Sequence, residues 1–197
     1  MCNIVFNVII IGSMLTTAFY HHTKYDMPLS VKGWAALLMC TVLPVKLFGA
    51  NTMLIWCLLV FSSYTDILDR TVFYRISYGC IVVEIILSIC RACYGLGTMQ
   101  AVIIPIIIVL FITKIHAVAY GDRDIFLATV FYAQSEGMRV FEYIIVYIFI
   151  SCVIFLVYMS IINIINIINK RDKKGISNKG AFVPAMAAAF MVIEFLR

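Results

Sequence analysis

Long apolar runs alternate with short polar breaks along this chain. The runs cover roughly 2–20, 33–48, 50–65, 72–90, 99–119, 140–168 and 181–196, with a shorter and weaker one at 124–135. Between them lie breaks such as HHTKYDMPLS, TDILDRTVFYR, RACYGLGTMQ, AYGDRD, SEGMR and NKRDKKGISNKG. A helix that crosses the hydrocarbon core of a bilayer needs about 20 apolar residues, fewer where it starts at an interface. The pattern predicts an all-α fold: a polytopic transmembrane bundle of about eight helices, one of them short, forming a single domain over 1–197. The first run begins almost at Met1 and lacks a basic flank and an A-x-A site. It is expected to be a retained helix rather than a removed signal.

Composition narrows the function. Of 197 residues, 64% are hydrophobic and 13% charged, and mean hydropathy is +1.05. Soluble domains are about 45–50% apolar and about 25% charged. A soluble enzyme, a disordered chain and a nucleic-acid-binding domain are therefore set aside, and lipid is the expected surroundings. The net charge of +5 reads as topology rather than as affinity for an anion. If the 21–32 break is cytoplasmic and every run crosses, the cytoplasmic breaks hold Lys24, Lys32, Arg70, Arg75, Lys114, Arg123, Lys170, Arg171, Lys173, Lys174 and Lys179. Only Lys46, Arg91, Arg139 and Arg197 fall on the other side. That bias selects eight crossings with the N-terminus outside. It holds only if the weak run 124–135 also crosses.

Seven cysteines are present, mostly inside apolar runs where Cys acts as a small hydrophobe. Cys90 and Cys93 form one C-x-x-C. A structural zinc site needs two such pairs, so no metal is expected. His21 and His22 lack a nearby third ligand, and two free thiols are expected at Cys90 and Cys93.

Ionisable groups at membrane depth are costly and mark candidate sites. Asp66 and Asp122 each stand at the cytoplasmic end of an apolar run. Two crossings, 72–90 and 99–119, separate them, which returns both to one face. Two carboxylates that meet there share a proton, so one serves as general base on a water and the other as general acid. Asp69 is an alternative to Asp66, and Asp124 to Asp122. Glu84 lies near the middle of 72–90, either as a polar contact for a substrate or partner helix or as a protonated or hydrogen-bonded core residue.

Three segments together resemble the type IV prepilin peptidases, bacterial intramembrane aspartic proteases of the GxGD class. SSYTDILDRTVFYRIS (62–77) resembles the helix-ending Asp and basic stretch of that family, with Asp66 in the place of the first catalytic aspartate. AVAYGDRDIFLATVFYA (117–133) resembles the GxGD motif, with Gly121 and Asp122 in the Gly-Asp positions. NKGAFVPAMAAAF (178–190) resembles the opening of the last helix, keeping Phe182 and Pro184. The chain departs from the family where Ala119 replaces the first Gly, Asp124 stands where Lys is usual, and Phe73 and Tyr74 replace Pro-Asp or Pro-Asn. Ala119 is tolerated if its φ is negative. The zinc-binding region of larger members, between the first two helices, is missing.

The resemblance implies a short-form prepilin leader peptidase of the bacterial inner membrane, without methyltransferase activity and without a cofactor. Its substrates would be prepilin-like proteins cut at the cytoplasmic face. Asp66 and Asp122 would be catalytic; Gly121, Asp69, Asp124 and Glu84 would contact substrate. Asp69, Asp124 and Asp172 would supply an acidic rim for the basic leader. The rival readings are a degenerate relative that binds pilin-like helices without cutting them, and a small transporter that uses the carboxylates as a proton relay.

Overall fold

A computed structural model describes residues 5, 7–13, 15–16, 19, 31–42, 44, 47–69, 74–95, 99–115, 119–168 and 181–197. Among them the chain is helical throughout its regular structure, with no strand. A helical N-terminal segment comes first. Seven α-helices follow: α1 (Val31–Val42), α2 (Ala50–Asp69), α3 (Tyr74–Cys93), α4 (Ile103–Lys114), α5 (Tyr120–Ser135), α6 (Val140–Ile168) and α7 (Val183–Leu196). A 3-10 turn, Met99–Val102, leads into α4. Each apolar run of the sequence thus falls on a helix, the weak one included.

Local chemistry explains several ends. Pro105 in α4 and Pro184 in α7 sit in first turns, where a missing N–H costs no intrahelical bond. The run predicted over 33–48 stops being helical at Val42. Leu47 and Phe48 donate their N–H groups to Pro44 O, a turn in place of the last helical residues. Helix α5 ends in a Schellman motif: Met138 N–H bonds Ala133 O at 2.8 Å and Gly137 N–H bonds Gln134 O at 3.0 Å. Gly137 takes φ +73° there, and the Arg91 guanidinium of α3 lies where its side chain would be.

The contacts also set direction. Asn51 at the start of α2 bonds Ser135 and Glu136 at the end of α5, while Asp66 near the end of α2 bonds Val183 at the start of α7. Arg91 and Ser88, late in α3, bond Ser135 O and Phe131 O late in α5. So α3, α5 and α7 run one way and α2 the other. The bundle has an Asp66 end and a Ser135 end. Arg91 and Arg197 lie at the Ser135 end and Arg139 follows it directly. These are three of the four basic residues that the charge bias put on the non-cytoplasmic side.

The weakest apolar run is the most buried, and the two strongest face outward. Helix α5, the weakest run, is the core: Ile125, Phe126, Ala128, Thr129, Val130, Tyr132 and Ala133 have no exposed surface. Its polar groups are answered inside, as in the 2.9 Å contact of Tyr132 OH with Thr52 Oγ1. The most apolar helices, α4 and α6, face outward, with Phe111 60%, Phe149 67% and Leu156 64% exposed. Among the described residues, two helices are long and apolar enough to cross a membrane, over Ile76–Cys93 and Val140–Ile165; two more, Gln100–Lys114 and Val183–Leu196, are apolar but shorter. Of the eight predicted crossings, two therefore stand on length and composition. Cys90 and Cys93 are both free and exposed, as expected.

Replacing Gly137 with Val should destabilise the fold by about 2 kcal/mol, because a β-branched residue is strained at positive φ and displaces Arg91. The unfolding midpoint of the solubilised protein reads this. An unchanged midpoint would show that neither the turn nor the Arg91 contact supports α5.

Candidate active site

Helix α7 begins without a cap of its own. Its N-cap residue, Phe182, has no side-chain acceptor, yet the first N–H groups of a helix have no intrahelical partner. Asp66 supplies one from 117 positions away in sequence: its Oδ2 accepts the Val183 N–H at 3.1 Å. Asp66 sits in the last turn of α2 and is 9% exposed.

Asp122 is built in a matching way. It is the third residue of α5, after an N-cap Ala119 with extended backbone, φ −70° and ψ 158°. Its carboxylate reaches back to the Ala119 N–H, which is the returning half of a capping box. Asp122 is also 9% exposed. Each carboxylate therefore rests on a helix N-terminus, where the helix dipole favours negative charge.

The two aspartates are near enough for the charge of Asp66 to act on Asp122. Asp122 precedes the apolar run 124–135, at the mouth of its helix. Burial first, and the neighbouring Asp66 carboxylate second, raise it to about 7, against the lowering effect of the Ala119 N–H. Asp66, held by the Val183 N–H, is the better placed of the two to carry the negative charge. A carboxylate beside a carboxylic acid can take a proton from a water and give one to a substrate oxygen or nitrogen.

The other sequence candidates divide. Gly121 is half-buried next to Asp122 in the first turn of α5. Ala119 has the negative φ that lets it replace glycine. Asp124 is not open to a rim: it is 5% exposed, and Arg123 bonds its Oδ1 through Nε at 2.8 Å and Nη2 at 2.6 Å. Glu84 is not brought to the pair. It bonds Ser135, about 20 Å along α5 from Asp122 at 1.5 Å per residue. The side chain of Asp69, and Asp172, His21, His22 and Asp26, lie outside the described residues. Among the described residues no group of three or more His, Cys, Asp or Glu side chains is placed to hold a metal. An open apolar groove of about 510 Å³, lined by Leu15, Thr16, Phe19 and Leu38, contains none of the candidates.

Two participants have no signal of their own in the sequence. One is the Val183 N–H, for which the only hint is Pro184 marking a helix start. The other is Tyr147 of α6, wholly buried among aromatics that run from Phe126 (5.6 Å between ring centres) to Phe182 and Phe155. The Asp122 charge acts on Tyr147, and its hydroxyl has no hydrogen-bond partner among the described residues. No family model, no curated protein and no solved structure matches this chain.

The Asp66–Val183 bond can be tested apart from any activity. Asp66→Asn keeps an acceptor oxygen for the Val183 N–H, and Asp66→Ala removes it. The Ala variant should be less stable than the Asn variant by about 1 kcal/mol, the usual cost of a lost helix cap. Equal unfolding midpoints would mean that the start of α7 is held by other contacts.

Proposed function

We propose that this chain is a multi-pass protein of a bacterial inner membrane and a prepilin leader peptidase, an aspartic endopeptidase acting at the cytoplasmic face. The observation that carries the reading is that Asp66 and Asp122, each on a helix N-terminus, lie at one end of the bundle within reach of each other's charge. The segments around both aspartates and around Val183 are the three that resemble the prepilin peptidases. A membrane location is supported by the inside-out pattern, in which the most apolar helices are the most exposed. Lipid tails accept such surfaces and water does not.

In this reading Asp66 takes a proton from a water as the water oxygen adds to the scissile carbonyl carbon. Asp122 passes its proton to the carbonyl oxygen. The resulting diol collapses as the C–N bond breaks, with the proton on Asp66 going to the leaving amine and a diol proton returning to Asp122. The buried Phe126 and Tyr147, with the partly buried Phe182, exclude bulk water, which strengthens the electrostatics of the pair. The substrate would be a prepilin-like helix approaching through the bilayer, its cleavage point near the helix start. With Asp124 tied to Arg123, recognition of a basic leader would fall to Asp69 and Asp172.

The test is leader removal from a matched prepilin by membranes containing the protein. Asp66→Ala and Asp122→Ala should each lower the rate by about 10³-fold or more, the scale of a lost general acid or base. Asp122 must hold a proton to act, and its pKa is raised to about 7, so the rate should fall as pH rises through that value. It should fall again at low pH as Asp66 protonates, giving a bell that belongs to the pair. Cleavage that survives both substitutions would overturn the assignment.

Topology gives a separate check. A reporter fused near position 175 should read cytoplasmic and one near position 95 external. The reverse pattern would put the two aspartates on the wrong side for a prepilin leader.

A further inference from the structure

The Ser135 end holds a second polar cluster that plays no part in the proposed cleavage. Glu84, midway along α3, is wholly buried. Its Oε2 lies 2.8 Å from Ser135 Oγ, while its Oε1 is shut off from solvent and has no hydrogen-bond partner among the described residues. Asn51, at the start of α2, donates its Nδ2 to the same Ser135 Oγ at 2.7 Å and to Glu136 Oε1 at 3.0 Å. Its Oδ1 is also buried and unmatched. Two orphaned oxygens therefore belong to side chains that share one hydroxyl. Buried polar atoms are nearly always partnered, so such a pair marks a missing ligand or water.

Charge points to which ligand. Glu84, Glu136 and Glu194 are gathered at this end with Arg91 and Arg197. Arg197 pairs with both Glu136 and Glu194 at 3.5 Å. Arg91 bonds Ser135 O at 3.1 Å and packs over Gly137. No ion pair among the described residues reaches Glu84. Counted as ionised, the three carboxylates exceed the two guanidinium groups by one, and the innermost of them, Glu84, has either a proton or a cation to balance it. The available donors are all oxygen. Such a set suits a hard cation, and a single excess charge suits a monovalent one; a divalent ion draws on more carboxylates. Ser135 Oγ is also 2.9 Å from Tyr132 O, so its proton can turn there and leave a lone pair for the ion.

We infer that Glu84 Oε1, Asn51 Oδ1 and the Ser135 hydroxyl form a binding site for a monovalent cation of sodium's size, joining α2, α3 and α5. The site is independent of the peptidase reading. It has a mechanical consequence for that reading, because α2 and α5 carry Asp66 and Asp122 at their other ends. An ion at Ser135 fixes the offset between the two helices along their length.

The experiment is thermal unfolding of the full chain in detergent, titrated with sodium chloride against choline chloride at constant ionic strength. The midpoint should rise saturably with sodium. Glu84→Gln, which keeps the side-chain shape, should abolish the rise. Ser135→Ala should move the half-saturating sodium concentration upward by about tenfold, on the scale of a disturbed ligand shell; it covers the case in which the Gln variant does not fold. Repeating the titration at lower pH should weaken sodium, because a proton competes for Glu84. A midpoint that follows pH but ignores sodium would overturn the site in favour of a simple acid, and a Glu84→Gln variant that responds like the parent would overturn it outright.

Discussion

A helix surrounded on all sides by protein cannot leave its ends to water. Helix α5 comes close to that position, with only the stripe Arg123, Leu127, Phe131 and Ser135 and its neighbour Gly121 part-exposed, and most of its first N–H groups and last carbonyls must be satisfied by what packs against them. At its start the Asp122 carboxylate takes the Ala119 N–H. At its end the Schellman turn at Gly137 and the Arg91 guanidinium take the carbonyls of Ala133, Gln134 and Ser135. The polar chemistry of the molecule collects at these two places. Asp66 joins one of them and Glu84 with Asn51 the other, and the length of helix between is packed with apolar and aromatic side chains.

Much of this was legible in the sequence. Each apolar run corresponds to a helix, and Arg91 and Arg197, which the charge count put on one side, both lie at the Ser135 end. That Asp66 and Asp122 fall at one end of the bundle followed from counting two helices between them. Helix α2 does run on to Asp69 rather than stopping at 65, which places Asp66 within a helical turn and gives its carboxylate a fixed direction. In a break it would have had none.

What could not be read off depends on contacts far apart in the chain. Hydropathy ranks 124–135 last, but hydropathy measures preference for lipid over water and not for protein over lipid. A helix enclosed by other helices can keep Thr129, Gln134 and Tyr132, because neighbours meet their hydrogen bonds. In the membrane setting proposed above, helices on the outside would have to be apolar all round. The weakest run is central for that reason. The one local exception is Asp124, expected on an acidic rim, which its immediate neighbour Arg123 pairs instead. Nor does any local pattern tie Asp66 to Val183 or Glu84 to Ser135, since those pairs are 117 and 51 positions apart.

Pro184 has a consequence for how firmly the aspartate pair is set. A helix propagates toward its N-terminus by adding N–H to C=O bonds four residues apart, and Pro184 has no N–H to give to the carbonyl four residues before it and crowds that carbonyl with its ring. With Pro184 as its second residue, α7 resists winding back through Ala181 and Gly180. Its starting point is fixed by a covalent ring rather than by the path of the chain through 169–180. The amide that Asp66 holds therefore keeps its place in the helix, and the geometry of the pair is insulated from events in the basic segment upstream.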